Sequence, residues 1–360
     1  MSIDALSLKY YINPDGSKNE FVYALNCLEA PIYFCLRALY GIQRPIAELF
    51  IKDYCLTIQH KNGHILSINT KKLNSTISWE YNVTLDEITP PEGYEISTLK
   101  ELLTEKKMVM VQTVNAMLPF DSRYGEIDES DLIDFVPRHT NLFIGSSNND
   151  FYYVENRMGI SIKNFIPYSK NAEVGIIKRP ALEPALCVYS KYMTVSALNP
   201  SYFSSEEEIK KIIQQITKNY LRKSCLLPDG AILSCGHTAL EFFYENFKNG
   251  TIKLNDKISL NGRAEEYLRI FIMYIDDIKK AVIILNHCIL EYTWFNALNK
   301  KLVLETGSKL TAHITMLTNN LLKQYYRKTY VYGPIHVKSM DEIIKLFDNY
   351  NTLLISATES

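Results

Sequence analysis

The chain has 360 residues, of which 47% are apolar and 22% charged, with a formal net charge of −1. That length is beyond the common size of one domain and predicts two. The even charge balance gives neither the basic field of a nucleic-acid binder nor the polybasic run of a membrane-surface protein, so neither partner is expected.

The N-terminal text MSIDALSLKYYINPDG has no basic head followed by an apolar run, so no secretory signal is read and a cytoplasmic location is expected. The most apolar later stretch, Ala281–Leu290, is about half of what a bilayer span needs and reads as a buried core helix. Seven cysteines (27, 35, 55, 187, 225, 235 and 288) are scattered and form no CxxC pair. Neither a disulfide framework nor a zinc knuckle is suggested, and scattered thiols fit a reducing compartment.

In chain order, Cys27–Ile42 reads as an amphipathic helix, with Leu28, Ile32, Cys35, Leu36 and Leu39 at three- and four-residue spacing and Gly41 as its stop. Tyr54–His60 and Ile65–Ile68 read as strands joined by Lys61-Asn62-Gly63-His64, a hairpin signal. A helix over Thr98–Lys106 and a buried-type strand over Met108–Val114 follow. Asn141–Gly145 and Asp150–Val154 read as a strand pair across a Ser146–Asn149 turn, with further strands at Gly159–Ile166 and Glu173–Ile177. From Ser204 onward the period is helical, with runs at 238–247, 262–280, 281–299, 308–326 and 340–349. Acidic residues open the first of these helices, and Thr238 with Glu241 has capping-box spacing. The expected fold is α+β, with an α+β domain over residues 1–200 and a helical domain over 201–360.

Asn26-Cys27-Leu28-Glu29 is where chemistry is expected. Asn is a strong N-cap and Glu three residues later completes a capping box, so Cys27 becomes the first helical residue. A sulfur there lies beside unbonded N–H groups and the positive end of the helix dipole, which favour thiolate over thiol. Cys35, two turns further on the apolar face, has no such reason to ionise. A thiolate in acyl transfer needs a base, and His139 opens the strand that follows it. His60 and His64 flank a hairpin turn, and His287 and His313 have core-like helical neighbours. Asn156, beyond the second strand of that pair, is placed by hairpin geometry to orient the imidazole. Read blandly, the same three residues are a buried thiol, a structural histidine and a turn asparagine.

Cysteine, then histidine about 110 residues on, then Asn or Asp after the next strand is the papain-like order. NCLEAPIYFCLRALYGI, VQTVNAMLPFDSRYGEID and RHTNLFIGSSNNDFYYVEN resemble segments of the butirosin-biosynthesis-protein-H-like acyltransferases. The likeness covers roughly residues 15–180. It implies a papain-like cysteine protease fold in the N-terminal half and a helical C-terminal domain. It also implies an acyltransferase that moves an acyl group from the phosphopantetheine thioester of a carrier protein, through acyl-Cys27, to a small-molecule amine. No cofactor of its own and no metal are implied; phosphopantetheine arrives on the partner. Where papain-like peptidases have a glutamine about six residues before the cysteine, this chain has Phe21. The oxyanion then falls to the Cys27 N–H, with Asn19 as a helper. Phe120 and Tyr124, in the loop before His139, are candidate substrate contacts. A peptidase or amidase, and a silent scaffold that binds a carrier protein, are the alternatives.

Other clusters are weaker. Cys235-Gly236-His237 brings a thiol and an imidazole close in sequence and is the rival thiol site. His287 and Glu291 share a helix face but lack a second pair for a metal. Asp276-Asp277 reads as a solvated edge. No GxxxxGK or GxGxxG loop is present, so nucleotide chemistry has no textual support.

Overall fold

The computed structural model describes residues 10–13, 15–40, 46–70, 73, 75–105, 108–114, 117–119, 138–154, 173–186, 190–199, 205–249, 253–254, 264–329 and 333–359. The helices are α1 (Glu20–Ala24), α2 (Glu29–Tyr40), α3 (Trp79–Asn82), α4 (Glu95–Thr104), α5 (Arg179–Leu182), α6 (Glu206–Tyr220), α7 (His237–Lys248), α8 (Ala264–Glu291), α9 (Ala297–Arg327) and α10 (Pro334–Glu359). The strands are β1 (Leu56–Lys61), β2 (His64–Thr70), β3 (Val83–Ile88), β4 (Val109–Val114), β5 (Arg138–Ser147), β6 (Asp150–Val154), β7 (Val174–Lys178), β8 (Tyr192–Leu198), β9 (Cys225–Leu226), β10 (Ile232–Cys235) and β11 (Lys253–Leu254). The chain is α+β, with antiparallel sheet pairing apart from a parallel β11–β2 contact, and a helical C-terminal region. It divides into two compact units, residues Met1–Phe50 with Trp79–Tyr202, and Ile51–Ser78 with Phe203–Ser360.

The first unit is built on a six-stranded antiparallel sheet of order β3-β8-β4-β5-β6-β7. The apolar run Val109-Met-Val111 is buried on both faces, as a central strand requires. Directly paired residues share a face. Val109 opposite Phe143, Val111 opposite Asn141 and Thr113 opposite His139 therefore line one side of the sheet. Helix α4 covers that side with Ile96, Leu99, Leu102 and Leu103, packed on Val109, Val111, Phe143, Phe151, Tyr153 and Tyr192. Between β5 and β6 the strands turn through Asn148 and Asn149, with Asn148 at φ 54°. Asparagine tolerates that left-handed backbone better than most residues.

The second unit takes the β1–β2 hairpin from the first half of the chain. Asn62 (φ 52°) and Gly63 (φ 78°) make the two-residue turn between Lys61 and His64 that the Asn-Gly signal predicts. Strand β1 then pairs antiparallel with β10, giving a sheet of order β11-β2-β1-β10-β9. Strand pairing is non-local, so a division placed near residue 200 by composition misses that 51–78 belongs with the later residues. The expected breaks at 281 and 299 also differ: α8 runs unbroken for 28 residues and α9 for 31. Ala281, Val282, Ile284, Leu285, Cys288 and Ile289 of α8 are at most 1% exposed, the buried core helix read from Ala281–Leu290. Among its polar residues, Asn286 lies against Gly307 of α9 so closely that a Cβ there would overlap its amide. Tyr350 of α10 donates to Asn286 Oδ1 at 2.8 Å. One asparagine thus ties three helices together.

The capping box expected at Thr238–Glu241 does not form. Gly236 adopts φ 50°, ψ −115°, and α7 starts one residue later at His237, which places Thr238 inside the first turn. Thr238 Oγ1 instead accepts from the Cys235 N–H and donates to its carbonyl, both at 3.0 Å. A Cβ on Gly236 would overlap the Tyr220 carbonyl and Cα, so both backbone angle and space require glycine. Gly236→Ala is expected to destabilise the second unit by about 2–4 kcal/mol through strain and overpacking. Urea unfolding measures it, and a loss under about 0.5 kcal/mol would contradict the assignment.

Buried His336 accepts the Gly333 N–H at Nδ1 (3.1 Å), and its Nε2 lies 3.1 Å from Gln324 Nε2. Burial holds His60, His287 and His336 below the ordinary histidine range. The unfolded chain then binds more protons than the folded unit as pH falls through about 6.5. Stability from the neutral rings is complete above that pH and is lost as the pH drops toward the lowered folded values. The urea midpoint is expected to fall between pH 7.5 and pH 5.5, above the carboxylate range; a flat or rising midpoint would contradict this.

Candidate active site

The capping box predicted at Asn26–Glu29 forms, but Cys27 is not the first helical residue: it lies in a turn, and α2 begins two residues later at Glu29. Asn26 Oδ1 accepts the N–H groups of Leu28 and Glu29, each at 2.9 Å, and Glu29 Oε2 accepts the Asn26 N–H at 2.9 Å. The Asn26 carbonyl takes the Ala30 N–H at 3.1 Å and the Leu28 carbonyl takes that of Ile32 at 3.2 Å. Between them Pro31 has no N–H to offer the Cys27 carbonyl, so the unbroken helical ladder starts late and α2 begins at Glu29. The first-turn donors of Leu28, Glu29 and Ala30 are thereby used. The Cys27 N–H is the one in that turn with no partner among the described residues.

Residues Glu29 to Leu36 are all buried, so the first two turns of α2 are enclosed on every side. This differs from the amphipathic helix expected; Leu39, assigned to the apolar face, is 56% exposed at its far end. A helix so enclosed fixes the position of whatever stands at its head. Cys27 is partly accessible, whereas Cys35 is buried and its thiol is pushed up to about 12 by burial. Of the other described thiols only Cys225 is partly accessible, and it lies on a short edge strand without a helix behind it.

His139 is the second residue of β5, opposite Thr113, and is partly buried. Helix α2 packs against β5 and β8, which places the cysteine-led helix and the histidine-led strand in contact within one unit. No hydrogen bond joins the Cys27 thiol to the His139 ring. Asn19 stands at the start of α1, where its Oδ1 caps the Val22 N–H at 3.3 Å. Its amide Nδ2 is then the donor it can offer an oxyanion. Asn156, Phe120 and Tyr124 lie outside the described residues.

The rival thiol site is not assembled. Cys235 is 3% exposed, and the His237 ring bridges Asp348 (Nδ1 to Oδ1, 2.9 Å) and Glu241 (Nε2 to Oε1, 3.2 Å). His287 meets Glu291 at 3.5 Å on its own helix. Asp276 pairs with Lys279 and Lys280, which suits a helix edge. No group of three metal-ligating side chains occurs among the described residues, and no described helix is long and apolar enough to cross a membrane.

Sequence reasoning missed the buried carboxylate of Glu173. It accepts the Tyr10 N–H at Oε2 (2.9 Å) and the Tyr11 N–H at Oε1 (3.0 Å). No local pattern marks a contact between residues more than 160 positions apart, and Glu173 reads simply as the start of a strand. A scan against known protein families finds no match, and neither does a search of curated proteins.

The cap generates a prediction about reactivity. Asn26→Ala is expected to cost about 1 kcal/mol of stability and to slow iodoacetamide labelling of Cys27 by several-fold at near-neutral pH, with Cys225 as internal control. Equal slowing of both thiols, or none, would contradict a role for the cap in thiol reactivity.

Proposed function

We propose that the chain is a cysteine-dependent acyltransferase that forms amides, with a papain-like arrangement of Cys27, His139 and Asn156 in its first unit. The observation that carries this reading is the reciprocal Asn26–Glu29 cap. It occupies the N–H groups of Leu28, Glu29 and Ala30 and leaves that of Cys27, beside the thiol, as the donor available to a developing oxyanion. Contact between α2 and β5 supports His139 as the base.

The thiolate attacks the carbonyl carbon of a carrier-bound thioester, and the oxyanion is held by the Cys27 N–H and the Asn19 amide. Collapse expels the phosphopantetheine sulfur, which takes a proton from the His139 imidazolium and leaves as a thiol. An amine then attacks acyl-Cys27, His139 takes its proton, and the Cys27 thiolate departs as the amide forms. The sum is thioester plus amine giving amide plus thiol. Thiol–imidazole pairs tighten when substrate binds, so the scheme does not require a Cys27–His139 hydrogen bond beforehand. Asn156 holds the ring without adding charge. Phe120 and Tyr124 are proposed to touch the acyl chain. The Lys/Asn/Ile-rich text and an asparagine at 156 resemble, within the family, the closthioamide-type amide synthases.

The test supplies an acyl-N-acetylcysteamine thioester with a series of primary amines and separates amide from free acid. Amide in excess of acid, abolished by at least about 10⁴-fold in Cys27→Ala, is the expected result. Acid alone would make the protein a hydrolase of the peptidase or amidase kind. Turnover unchanged in Cys27→Ala would overturn the reading, and no turnover with any amine would leave a carrier-binding scaffold.

A further inference from the structure

The Glu173 carboxylate is 2% exposed, and a charge so buried is costly unless it is well bonded. It grips two consecutive backbone N–H groups, those of Tyr10 and Tyr11, at 2.9 and 3.0 Å. Charge-assisted bonds of this kind are about twice as strong as neutral ones. The rings of the two tyrosines pack edge-on against Phe34 of α2, with centroids at 4.6 and 5.5 Å. From there the chain makes a small hairpin, closed by an Ile12–Lys18 bridge and an Asn13 N–H to Ser17 carbonyl bond of 2.8 Å. It returns so that the Asn19 N–H donates to the Tyr11 carbonyl at 2.9 Å. Asn19 caps α1, and two residues after α1 ends comes Asn26, the cap of Cys27. A continuous run of bonds therefore leads from Glu173 through the N-terminal strap to Asn19 and the elbow that carries the thiol.

We infer that Glu173 is a positioning residue: by fixing Tyr10 and Tyr11 it sets where Asn19 stands relative to the Cys27 N–H. This rests on the acyl-transfer reading above. Alkylation by iodoacetamide has no oxyanion to stabilise, whereas acylation by a thioester does. Glu173→Gln turns one of the two acceptor oxygens into a donor facing an N–H, so it breaks half of the grip while keeping the shape. The variant is expected to be alkylated at Cys27 within about 2-fold of the parent but acylated by an acyl-N-acetylcysteamine thioester at least 10-fold more slowly, since small misplacement of a catalytic group has effects of that order. Asn19→Asp keeps a good cap on α1 and removes the amide donor, and it is expected to give the same split.

The measurement is both rate constants, followed by intact mass and peptide mapping, with thermal melting alongside. Equal loss of both rates in Glu173→Gln, tracking a lower melting temperature, would make the contact merely structural and overturn the inference. Unchanged acylation would overturn it as well, and so would a split in Glu173→Gln that Asn19→Asp does not share. A parent protein whose Cys27 is never acylated would instead overturn the acyl-transfer reading, which separates the two failures.

Discussion

The structure of the first unit depends on how four consecutive residues resolve a helix end. An α-helix leaves its first N–H groups without partners, and burying them without bonds is costly. Asn26 and Glu29 bond each other's backbone and remove that cost for all but one donor. Because the eight residues from Glu29 to Leu36 are buried, the capped end is held in place, and the one donor left open belongs to the same residue as the thiol. Local chemistry and global packing converge on Cys27. Cys35, on the same helix, shows the contrast: burial pushes its thiol up to about 12.

The second unit uses polar side chains in another way. Asn286 receives the Tyr350 hydroxyl and fills the space left by Gly307, which joins α8, α9 and α10 at one point. Near the start of β1, Asp53 accepts the Cys55 N–H at 2.8 Å and the Asn219 amide at 2.6 Å, and Asn219 in turn accepts from Gln215 at 2.8 Å. Tyr54 donates to Asn351 at 2.8 Å nearby. Buried polar networks of this kind fix a register that apolar packing alone would leave loose. They account for how a hairpin from early in the chain is held in a unit made mostly of later residues.

What the sequence made legible followed the range of the interaction. The Asn26–Glu29 cap, the Asn62-Gly63 turn and the buried strand at β4 are set by residues a few positions apart, and each was readable as text. The reading failed where a distant partner decided the outcome. Thr238 lost its capping role because Gly236 packs against Tyr220; the helical break near 281 is absent, and the break near 299 falls earlier, at residues 292–296 between α8 and α9. Strand β1 pairs with β10 across more than 160 residues, which no local pattern announces. The candidate site divides the same way: the cap at Cys27 was visible, while the Glu173 grip on Tyr10 and Tyr11 was not. Asn156, Phe120 and Tyr124 lie outside the described residues, so their share of the site rests on the sequence alone.

The central claim is that Cys27, rather than any other thiol of the chain, carries an acyl group. It is tested most directly by mixing the protein with an acyl-N-acetylcysteamine thioester without amine, quenching in acid, and mapping the modified peptide by mass spectrometry. The account predicts one acyl group per chain, on the peptide containing Cys27, discharged when an amine is added. An unmodified chain, or an acyl group on Cys225 or Cys235 with Cys27 untouched, would contradict it.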